Sequence, residues 1–244
     1  MARTIVISDI HGYYELFMKL LEQVQYDPAC DQLYLLGDYV DGGPESLAVI
    51  RTVMQLTDDH NHVQAIGGNH DDMLLHWLDD NDYPRMPYTS LKNGGSATIR
   101  SLCPWYQSVA DDSRAREFIN EHYPDEISFL RRLPYYIEDE KHIYVHAGID
   151  PEIADWRQTS PKDFRWIRGR FYQTDGSAAV TKKVIFGHEV CARLHQDETN
   201  FDPWFGKQFT GIDGGVKFGY QLNALIIYEN GGYQTSSIQR RDRE

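Results

Sequence analysis

Side chains that can bind metal ions come directly after apolar segments at five places in this sequence. Each segment has the composition of a buried β-strand, and each is followed by carboxylate, amide or imidazole groups. The groups are those of Asp9, His11, Asp38, Asn69, His146 and His188. Ligand sites of open α/β sheets form beyond the carboxyl ends of the strands. We therefore expect these side chains to meet in one crevice.

Each of these residues taken alone has a simpler explanation. Asp and Asn are common turn formers after strands, and a single histidine near a strand end is usually satisfied by a backbone carbonyl. Turn formation does not explain why such groups follow five strands of one chain. We interpret the set as a metal centre.

Oxygen donors combined with neutral imidazoles suit Mn²⁺, Fe or Zn²⁺ better than Mg²⁺ or Ca²⁺, which favour shells of oxygen atoms. The set predicts two divalent metal ions, with manganese as the first choice and iron with zinc as the alternative. A carboxylate such as that of Asp38 can bridge two cations. Two cations about 3.5–4 Å apart can hold a phosphate group and lower the pKa of a shared water molecule. Such a pair hydrolyses phosphate esters or anhydrides by direct attack of that water, without a covalent intermediate.

The apolar segments of the N-terminal third alternate with amphipathic helices. Apolar residues at helical spacing follow the strand predicted at residues 4–7, and a helix opened by Pro44 follows the strand at 33–36. A helix at 71–78 follows the strand at 62–66. This alternation is typical of a layered α/β fold.

The middle of the chain, about residues 79–133, has a helical pattern rich in tyrosine and charge, which we interpret as a helical insertion or cap. Strands return after it, and a short helix is predicted at residues 163–172. The later predicted strands are 135–137, 142–145, 183–186, 222–228 and 233–237. A chain of 244 residues can fold around one core, so we predict a single domain, 1–244.

A formal net charge of −13 disfavours binding to long nucleic acids, because that binding depends on lysine and arginine displacing counterions. No apolar segment approaches the roughly 20 residues of a membrane span, and the N-terminus lacks the layout of a signal peptide. Cys30, Cys103 and Cys191 are odd in number and widely separated, which predicts reduced thiols and a cytoplasmic protein.

Five short motifs occur in a fixed order: DIH at 9–11, GDYVDGG at 37–43, GNHD at 68–71, HAG at 146–148 and GH at 187–188. In these motifs the sequence resembles the phosphoprotein phosphatase family of metallophosphoesterases. The resemblance covers residues 9 to 188. It implies a calcineurin-like fold, with central β-sheets flanked by helices, and hydrolysis of phosphate esters with two divalent metal ions.

The resemblance also implies roles for individual residues. Asp9 and His11 would bind one metal, Asp38 would bridge, and Asn69, His146 and His188 would bind the second. His70 would protonate the leaving group as general acid, with Asp41 hydrogen-bonded to its other ring nitrogen. Arg168 resembles a phosphate-binding arginine of bacterial members, with Arg165 and Arg170 as competing positions.

One motif departs from the family pattern. Family members usually read GDxVDRG, and this chain has Gly42 where that arginine would hold the substrate phosphate. Arg85, Lys92 and Arg100, all in the middle stretch, are candidates to replace the missing cation.

The metal motifs serve two substrate classes in bacterial members, phosphorylated proteins and dinucleoside polyphosphates such as diadenosine tetraphosphate. The stretch LKNGGSATIRSL at 91–102 resembles a segment of bacterial serine/threonine protein phosphatases, and it favours hydrolysis of phosphomonoesters. The alternative is a symmetrical diadenosine tetraphosphatase.

Nucleobases of such a dinucleotide would stack on aromatic residues, although packing of the middle stretch is the commoner use of such side chains. The aromatic residues concerned are Trp77, Tyr83, Tyr88, Trp105 and Tyr106. A weakened relative that binds phosphate without turnover is a minor alternative. Retention of His70 and Asp41 argues against it.

Overall fold

The structure is a computed structural model that describes residues 3–81, 86–173 and 180–240. Its strands are β1 (Arg3–Ile7), β2 (Gln32–Leu35), β3 (Val63–Ala65), β4 (Tyr136–Glu138), β5 (His142–Val145), β6 (Lys183–Phe186), β7 (Trp204–Phe205), β8 (Phe209–Gly211), β9 (Gln221–Tyr228) and β10 (Tyr233–Gln239). Its α-helices are α1 (Tyr14–Gln23), α2 (Ser46–Asp59), α3 (Asn69–Leu78), α4 (Gly95–Leu102), α5 (Asp112–His122), α6 (Pro124–Arg132), α7 (Pro161–Trp166) and α8 (Cys191–His195).

The strands form two mixed sheets. The first has the order β10-β9-β1-β2-β3, in which β1, β2 and β3 run parallel and β9 and β10 are antiparallel. The second has the order β4-β5-β6-β8-β7, in which β5, β6 and β8 run parallel. Each sheet therefore has one edge at which the carboxyl ends of three strands meet.

Alternation of side chains along the strands builds the layers. On β1, Ile5 and Ile7 face α1 and pack with Phe17, whereas Val6 faces the opposite way. Val6 contributes to a core between the two sheets that also contains Tyr144 and Ile185. On the far side of the second sheet, a further core includes residues of α7 and α8. Two sheets flanked by helices confirm the predicted layered α/β fold.

The described part of the middle stretch, residues 86–132, is helical and contains α4, α5 and α6. Its apolar residues Ile99, Ile119 and Leu130 belong to the same core cluster as Phe17 and Leu74. None of the described helices combines the length and the apolar composition that crossing a lipid bilayer requires.

Sequence reasoning misplaced boundaries of two helices and missed two short strands. The helix predicted at 163–172 ends at Trp166, because the backbone becomes extended at Ile167 and both Ile167 and Phe171 pack against Gly148. Arg168, predicted on that helix, lies in the turn after it. Helix α3 begins two residues earlier than predicted. The short strands β7 and β8 were missed, since two or three residues carry no clear apolar periodicity.

Asp139 forms a hydrogen-bonded cluster in the turn between β4 and β5. It accepts hydrogen bonds from the backbone N–H of His142 at 2.6 Å and of Lys141 at 2.7 Å, and from the Tyr144 hydroxyl at 2.7 Å. Burial alone would raise the pKa of Asp139. The hydrogen bonds from His142 and Tyr144 outweigh burial and hold the pKa below its ordinary value.

We expect Asp139→Asn to make the stability of the protein less sensitive to acid. Because the carboxyl has a lower pKa folded than unfolded, it stabilises the fold at neutral pH, and this contribution is lost as the pH falls below about 4. Urea unfolding at pH 7 and pH 3, with EDTA present, should show the variant losing less stability than the wild type on acidification. Glu140→Gln, an exposed change in the same turn, should behave as wild type. Equal losses in Asp139→Asn and wild type would contradict this assignment.

Candidate metal centre

The loops after five strands bring the six predicted ligands together. Asp9 and His11 follow β1, Asp38 follows β2, Asn69 follows β3, His146 follows β5 and His188 follows β6. Each of the six is at most 7% exposed. The carboxyl edges of both sheets thus contribute to one buried cluster of oxygen and nitrogen donors.

The backbone of this cluster is strained. Among the described residues, eight that are not glycine have positive φ, and five of them lie here: Asp9 (56°), His11 (51°), Asp38 (54°), Asp41 (76°) and His188 (62°). Left-handed backbone of this kind costs about 1–3 kcal/mol for each residue and is concentrated at functional sites. The left-handed backbone at these residues turns their side chains towards one another.

Asp38 lies between two histidines. Its Oδ2 is 3.6 Å from Nε2 of His11, and its Oδ1 is 3.5 Å from Nε2 of His146. A different oxygen of the same carboxylate therefore faces each imidazole, which is the arrangement that a bridging ligand needs.

The ring nitrogens of the histidines divide into two roles. His11 donates Nδ1–H to the Val40 carbonyl at 2.9 Å, and His146 donates Nδ1–H to the Leu36 carbonyl at 2.8 Å. A backbone acceptor at one ring nitrogen leaves the lone pair of the other available for a metal. Nε2 of His188 is buried without a hydrogen-bond partner among the described residues. Its lone pair is suited to a cation.

Oxygen atoms complete the donor set. Oδ1 of Asn69 lies 2.9 Å from Nε2 of His146. The Asp9 carboxylate accepts hydrogen bonds from the backbone N–H of His188, at 3.0 Å to Oδ2, and from the Ser8 hydroxyl. Both contacts hold Asp9 facing the cluster.

Two overlapping groups of three described residues have ligand atoms that lie within 4.8 Å of one another. They are His11, Asp38 and His70, and Asp9, Asp38 and His146. Asp38 belongs to both groups. The first group contains His70, to which the family resemblance gives a different role.

Burial dominates the electrostatics of the two carboxylates. It holds the pKa of Asp9 well above the ordinary range, and the nearby Asp213 adds to the shift. Burial also raises the pKa of Asp38, and Asp9 adds to it. Charged carboxylates this deep require a cation, and a bound metal would reverse both shifts. Together with the unpartnered Nε2 of His188, the donor set fits divalent metal ions.

Sequence reasoning missed Asp213, because the three-residue strand before it has no clear apolar periodicity. It follows β8 closely, as Asp9 follows β1. It is 5% exposed and accepts a hydrogen bond from the Gly215 backbone at 2.8 Å. Missing β8 meant missing the carboxylate that comes after it.

His70 and Asp41 form a hydrogen-bonded pair beside the cluster. Nδ1 of His70 is 2.6 Å from Oδ2 of Asp41. The other oxygen of Asp41 accepts hydrogen bonds from the Tyr88 hydroxyl at 2.6 Å and the Thr98 hydroxyl at 2.7 Å. Burial raises the pKa of Asp41 to about 7, opposed first by the charge of Lys217 and then by these two hydroxyls. Tyr88 and Thr98 come from the helical middle stretch, and their role was not predicted.

Lys217 faces the other side of the His70 ring. Its Nζ is 2.9 Å from Nε2 of His70 and donates to the Asn93 carbonyl at 2.8 Å. Burial holds the pKa of His70 well below its ordinary value, and the charges of Lys217 and Arg168 add to this effect. No sequence motif had indicated Lys217.

The cluster opens into a cavity of about 930 Å³. Five cationic side chains line it, Lys92, Lys162, Arg165, Arg168 and Lys217, together with apolar residues that include Met73, Met86, Tyr135, Trp166 and Phe218. Asn69 and His70 form part of its wall. An anionic group entering this cavity would meet Asn69, one of the predicted ligands, and His70.

The predicted phosphate-binding arginines are placed differently from one another. Arg168 lines the cavity, where Nη1 pairs with Glu189 at 2.9 Å. Arg165 also lines it, but Nη1 pairs with Asp72 at 2.6 Å. Arg170 forms ion pairs with surface carboxylates and is absent from the described cavity wall.

The candidates to replace the arginine missing at Gly42 are likewise separated. Lys92 is exposed and lines the cavity. Arg100 is exposed at the end of α4 and does not belong to the described lining. Arg85 lies outside the described residues.

The aromatic residues considered for base stacking pack in the core instead. Trp77, Tyr88 and Tyr106 are at most 2% exposed. Trp105 packs against the same core cluster, and Tyr83 lies outside the described residues. The four described residues support packing as the interpretation of these aromatics.

Asp71, in the first turn of α3, holds the loop that carries Asp38. Its carboxylate accepts three backbone hydrogen bonds, from Asp38 and Gly68 at 2.9 Å and from Tyr39 at 3.0 Å. Gly68 has no room for a side chain, because a Cβ there would collide with the Asp38 carboxylate. The GNHD motif therefore fixes the predicted bridging residue as well as the helix start.

We expect Asp71→Ala to destabilise the protein by about 2 kcal/mol or more, because it leaves three buried backbone N–H groups without an acceptor. Urea unfolding in EDTA separates this effect from that of bound metal. Asp71→Glu, which keeps a carboxylate at this position, should retain most of the stability, because Glu in the first turn also caps helices. A loss of less than about 0.5 kcal/mol in Asp71→Ala, the level of an ordinary surface change, would contradict the assignment.

Comparison with known proteins agrees with the fold and with the resemblance to metallophosphoesterases. The chain is 39% identical over 151 residues to a symmetrical bis(5'-nucleosyl)-tetraphosphatase of Erwinia tasmaniensis. The matched region covers 61% of this chain and 45% of that protein. It is 26% identical over 229 residues to serine/threonine-protein phosphatase 1 of Salmonella typhimurium. That match covers 91% of this chain and 90% of the relative. The chain thus spans slightly less than half of the tetraphosphatase.

A crystal structure of a protein described as a candidate diadenosine tetraphosphatase superposes with a TM-score of 0.64 at 20% identity, covering 96% of this chain and 93% of that one. The fold and the buried donor set define a metallophosphoesterase. The family model described as calcineurin-like phosphoesterase matches residues 2–205, and the chain belongs to that family. Membership implies divalent metal ions.

Proposed function

We propose that this protein is a dinuclear metal-dependent phosphomonoesterase of the serine/threonine protein phosphatase type. The observation that carries the proposal is the placement of Asp38, with one carboxylate oxygen facing His11 and the other facing His146. A single carboxylate shared in this way supports two metal ions side by side.

We propose that the ligands divide as the family resemblance implies. Asp9 and His11 would hold one ion, Asp38 would be shared, and Asn69, His146 and His188 would hold the other. Bound divalent ions neutralise phosphate charge and lower the pKa of coordinated water. We propose manganese as the resident metal, with iron and zinc as the alternative, because mixed oxygen and imidazole donors suit these ions.

His70 and Asp41 would manage the proton of the leaving group. Asp41 accepts the Nδ1–H of His70, which fixes the ring and leaves Nε2 facing the cavity. In the imidazolium form of His70 the second proton, at Nε2, can pass to the oxygen of a departing alcohol. The hydroxyls of Tyr88 and Thr98 keep the Asp41 carboxylate in place.

The cavity supports a protein substrate. It is open, combines cationic with apolar side chains, and is large enough for a phosphorylated side chain with its neighbours. The relative that matches nearly the whole chain, over 90% of its own length, is named a serine/threonine-protein phosphatase. Three of the aromatic residues first considered for base stacking, Trp77, Tyr88 and Tyr106, are buried in the core.

Symmetrical hydrolysis of diadenosine tetraphosphate is the second candidate. It is favoured by the 39% identity to a relative of that name, although the match covers less than half of that protein. Tyr135 and Trp166 line the cavity and offer aromatic surface to a base.

We also propose that the chain forms one domain in the cytoplasm. Helices α4, α5 and α6 contribute to the same core cluster as β1, which supports a single folding unit. Cys30, Cys103 and Cys191 are free thiols, which suits a reducing compartment.

His70→Asn should lower kcat by about 10²–10⁴-fold while leaving the metal content unchanged, because a general acid is lost and no ligand is removed. Turnover of a phosphopeptide and metal analysis of the same sample check this. His122→Asn, an exposed change on α5, is the matched control. Since His70 lies near His11 and Asp38, loss of metal in His70→Asn would make it a ligand instead.

A panel of three substrates with Mn²⁺ separates the candidate functions. We expect phosphate release from phosphoserine and phosphothreonine peptides to exceed conversion of diadenosine tetraphosphate, with p-nitrophenyl phosphate as reference. Fast conversion of the dinucleotide with slow peptide turnover would establish the second candidate. The absence of detectable hydrolysis of all three substrates would reject both candidate functions.

A further inference from the structure

Lys217 stands in the short 3-10 helix Val216–Phe218, between two glycines with left-handed backbone, Gly215 and Gly219. This segment follows β8, on the edge where the predicted metal ligands also follow their strands. The side chain of Lys217 is partly buried and extends into the cavity beside His70.

The stem of Lys217 passes over Gly42. A Cβ built on Gly42 would lie 3.0 Å from Cγ of Lys217, and Gly42 has a φ of +99°, which side chains rarely adopt. Gly42 therefore provides the space through which Lys217 reaches the site. A larger residue at position 42 would displace the lysine.

The ammonium group of Lys217 is not neutralised at contact distance within the described part of the chain. Its short contacts are to the ring of His70 and to the Asn93 carbonyl, and none is a carboxylate. Arg165 and Arg168, in the same cavity, each pair with a carboxylate. Lys217 thus offers charge that an anionic ligand can use.

Distance then determines which ligand atom Lys217 can reach. Its Nζ lies 2.9 Å from Nε2 of His70, the nitrogen proposed to protonate the leaving group. An oxygen at hydrogen-bond distance from that Nε2 lies no more than about 6 Å from the Lys217 ammonium. A phosphate ester whose leaving oxygen contacts His70 therefore brings its phosphate group close enough to Lys217 for electrostatic attraction.

We infer that Lys217 binds the phosphate group of the substrate, supplying from the segment after β8 the cation that Gly42 cannot provide. A lysine acts there as a compact point charge and gives up the two-pronged contact of an arginine. The inference rests on the proposed phosphoesterase activity and is independent of whether the substrate is a protein or a dinucleotide.

Lys217→Met keeps the length of the side chain and removes the charge, whereas Lys217→Arg keeps the charge. Lys19→Met, at an exposed position of α1, is the control. Each Mn²⁺-loaded protein is titrated with inorganic phosphate by calorimetry, its metal content is measured, and KM and kcat are determined with p-nitrophenyl phosphate. We expect Lys217→Met to raise the Kd for phosphate about ten- to a hundredfold, as loss of a charged hydrogen bond implies, with KM rising alongside it. Lys217→Arg should recover part of the affinity, and Lys19→Met should match the wild type.

Two results would overturn the inference. One is a Lys217→Met protein that binds phosphate like the wild type, including one that loses only kcat, since the lysine would then act on His70 and leave phosphate untouched. The other is weakened phosphate binding accompanied by loss of metal, because Lys217 would then support the metal centre. A wild-type protein that binds phosphate but does not hydrolyse phosphopeptides would contradict the protein phosphatase proposal without contradicting this inference.

Discussion

Asp9 and Asp38 are buried together where two sheets meet, and the surrounding structure is organised to keep their charges there. Backbone N–H groups of His188 and His70 donate to them, and Asp71 fixes the loop that carries Asp38. Water cannot solvate carboxylates at this depth, so their charge requires cations. The imidazoles complete the set, with each Nε2 directed inward. Folding and metal binding are consequently two aspects of one electrostatic arrangement.

The predicted metal ligands and the groups expected to contact the substrate come mostly from different segments, although Asn69 and His70 are neighbours at the start of α3. The predicted ligands follow strands, which are rigid and buried. The groups expected to contact the substrate lie elsewhere. His70 lies at the start of a helix, Lys217 lies in a glycine-flanked turn, and Arg168 lies just after a short helix. Strand ends position ligands for a demanding coordination geometry. Turns allow the pocket to vary around a constant centre.

Sequence reasoning recovered the part of this design that depends on local patterns. The strands before Asp9, Asp38, Asn69, His146 and His188 are apolar and regular, so the layered fold and the donor set could be predicted. Lys217 and Asp213 could not, because β8 is three residues long and gives no periodic signal. The left-handed backbone at Asp9 and His11 was also invisible, since it arises from contacts with β2 and the loop after it, such as the bond from His11 N–H to the Asp38 carbonyl.

The middle helices were expected to be an accessory to the fold, yet Tyr88 and Thr98 from this stretch hold the Asp41 carboxylate against His70. Thr98 also accepts a hydrogen bond from the Asp41 backbone, so it fixes both the main chain and the side chain of that residue. The stretch is therefore not an interchangeable module. Evolution or engineering can reshape its surface to admit new substrates, but a graft that omits these two hydroxyls would leave the pair of Asp41 and His70, proposed to transfer a proton, without its support.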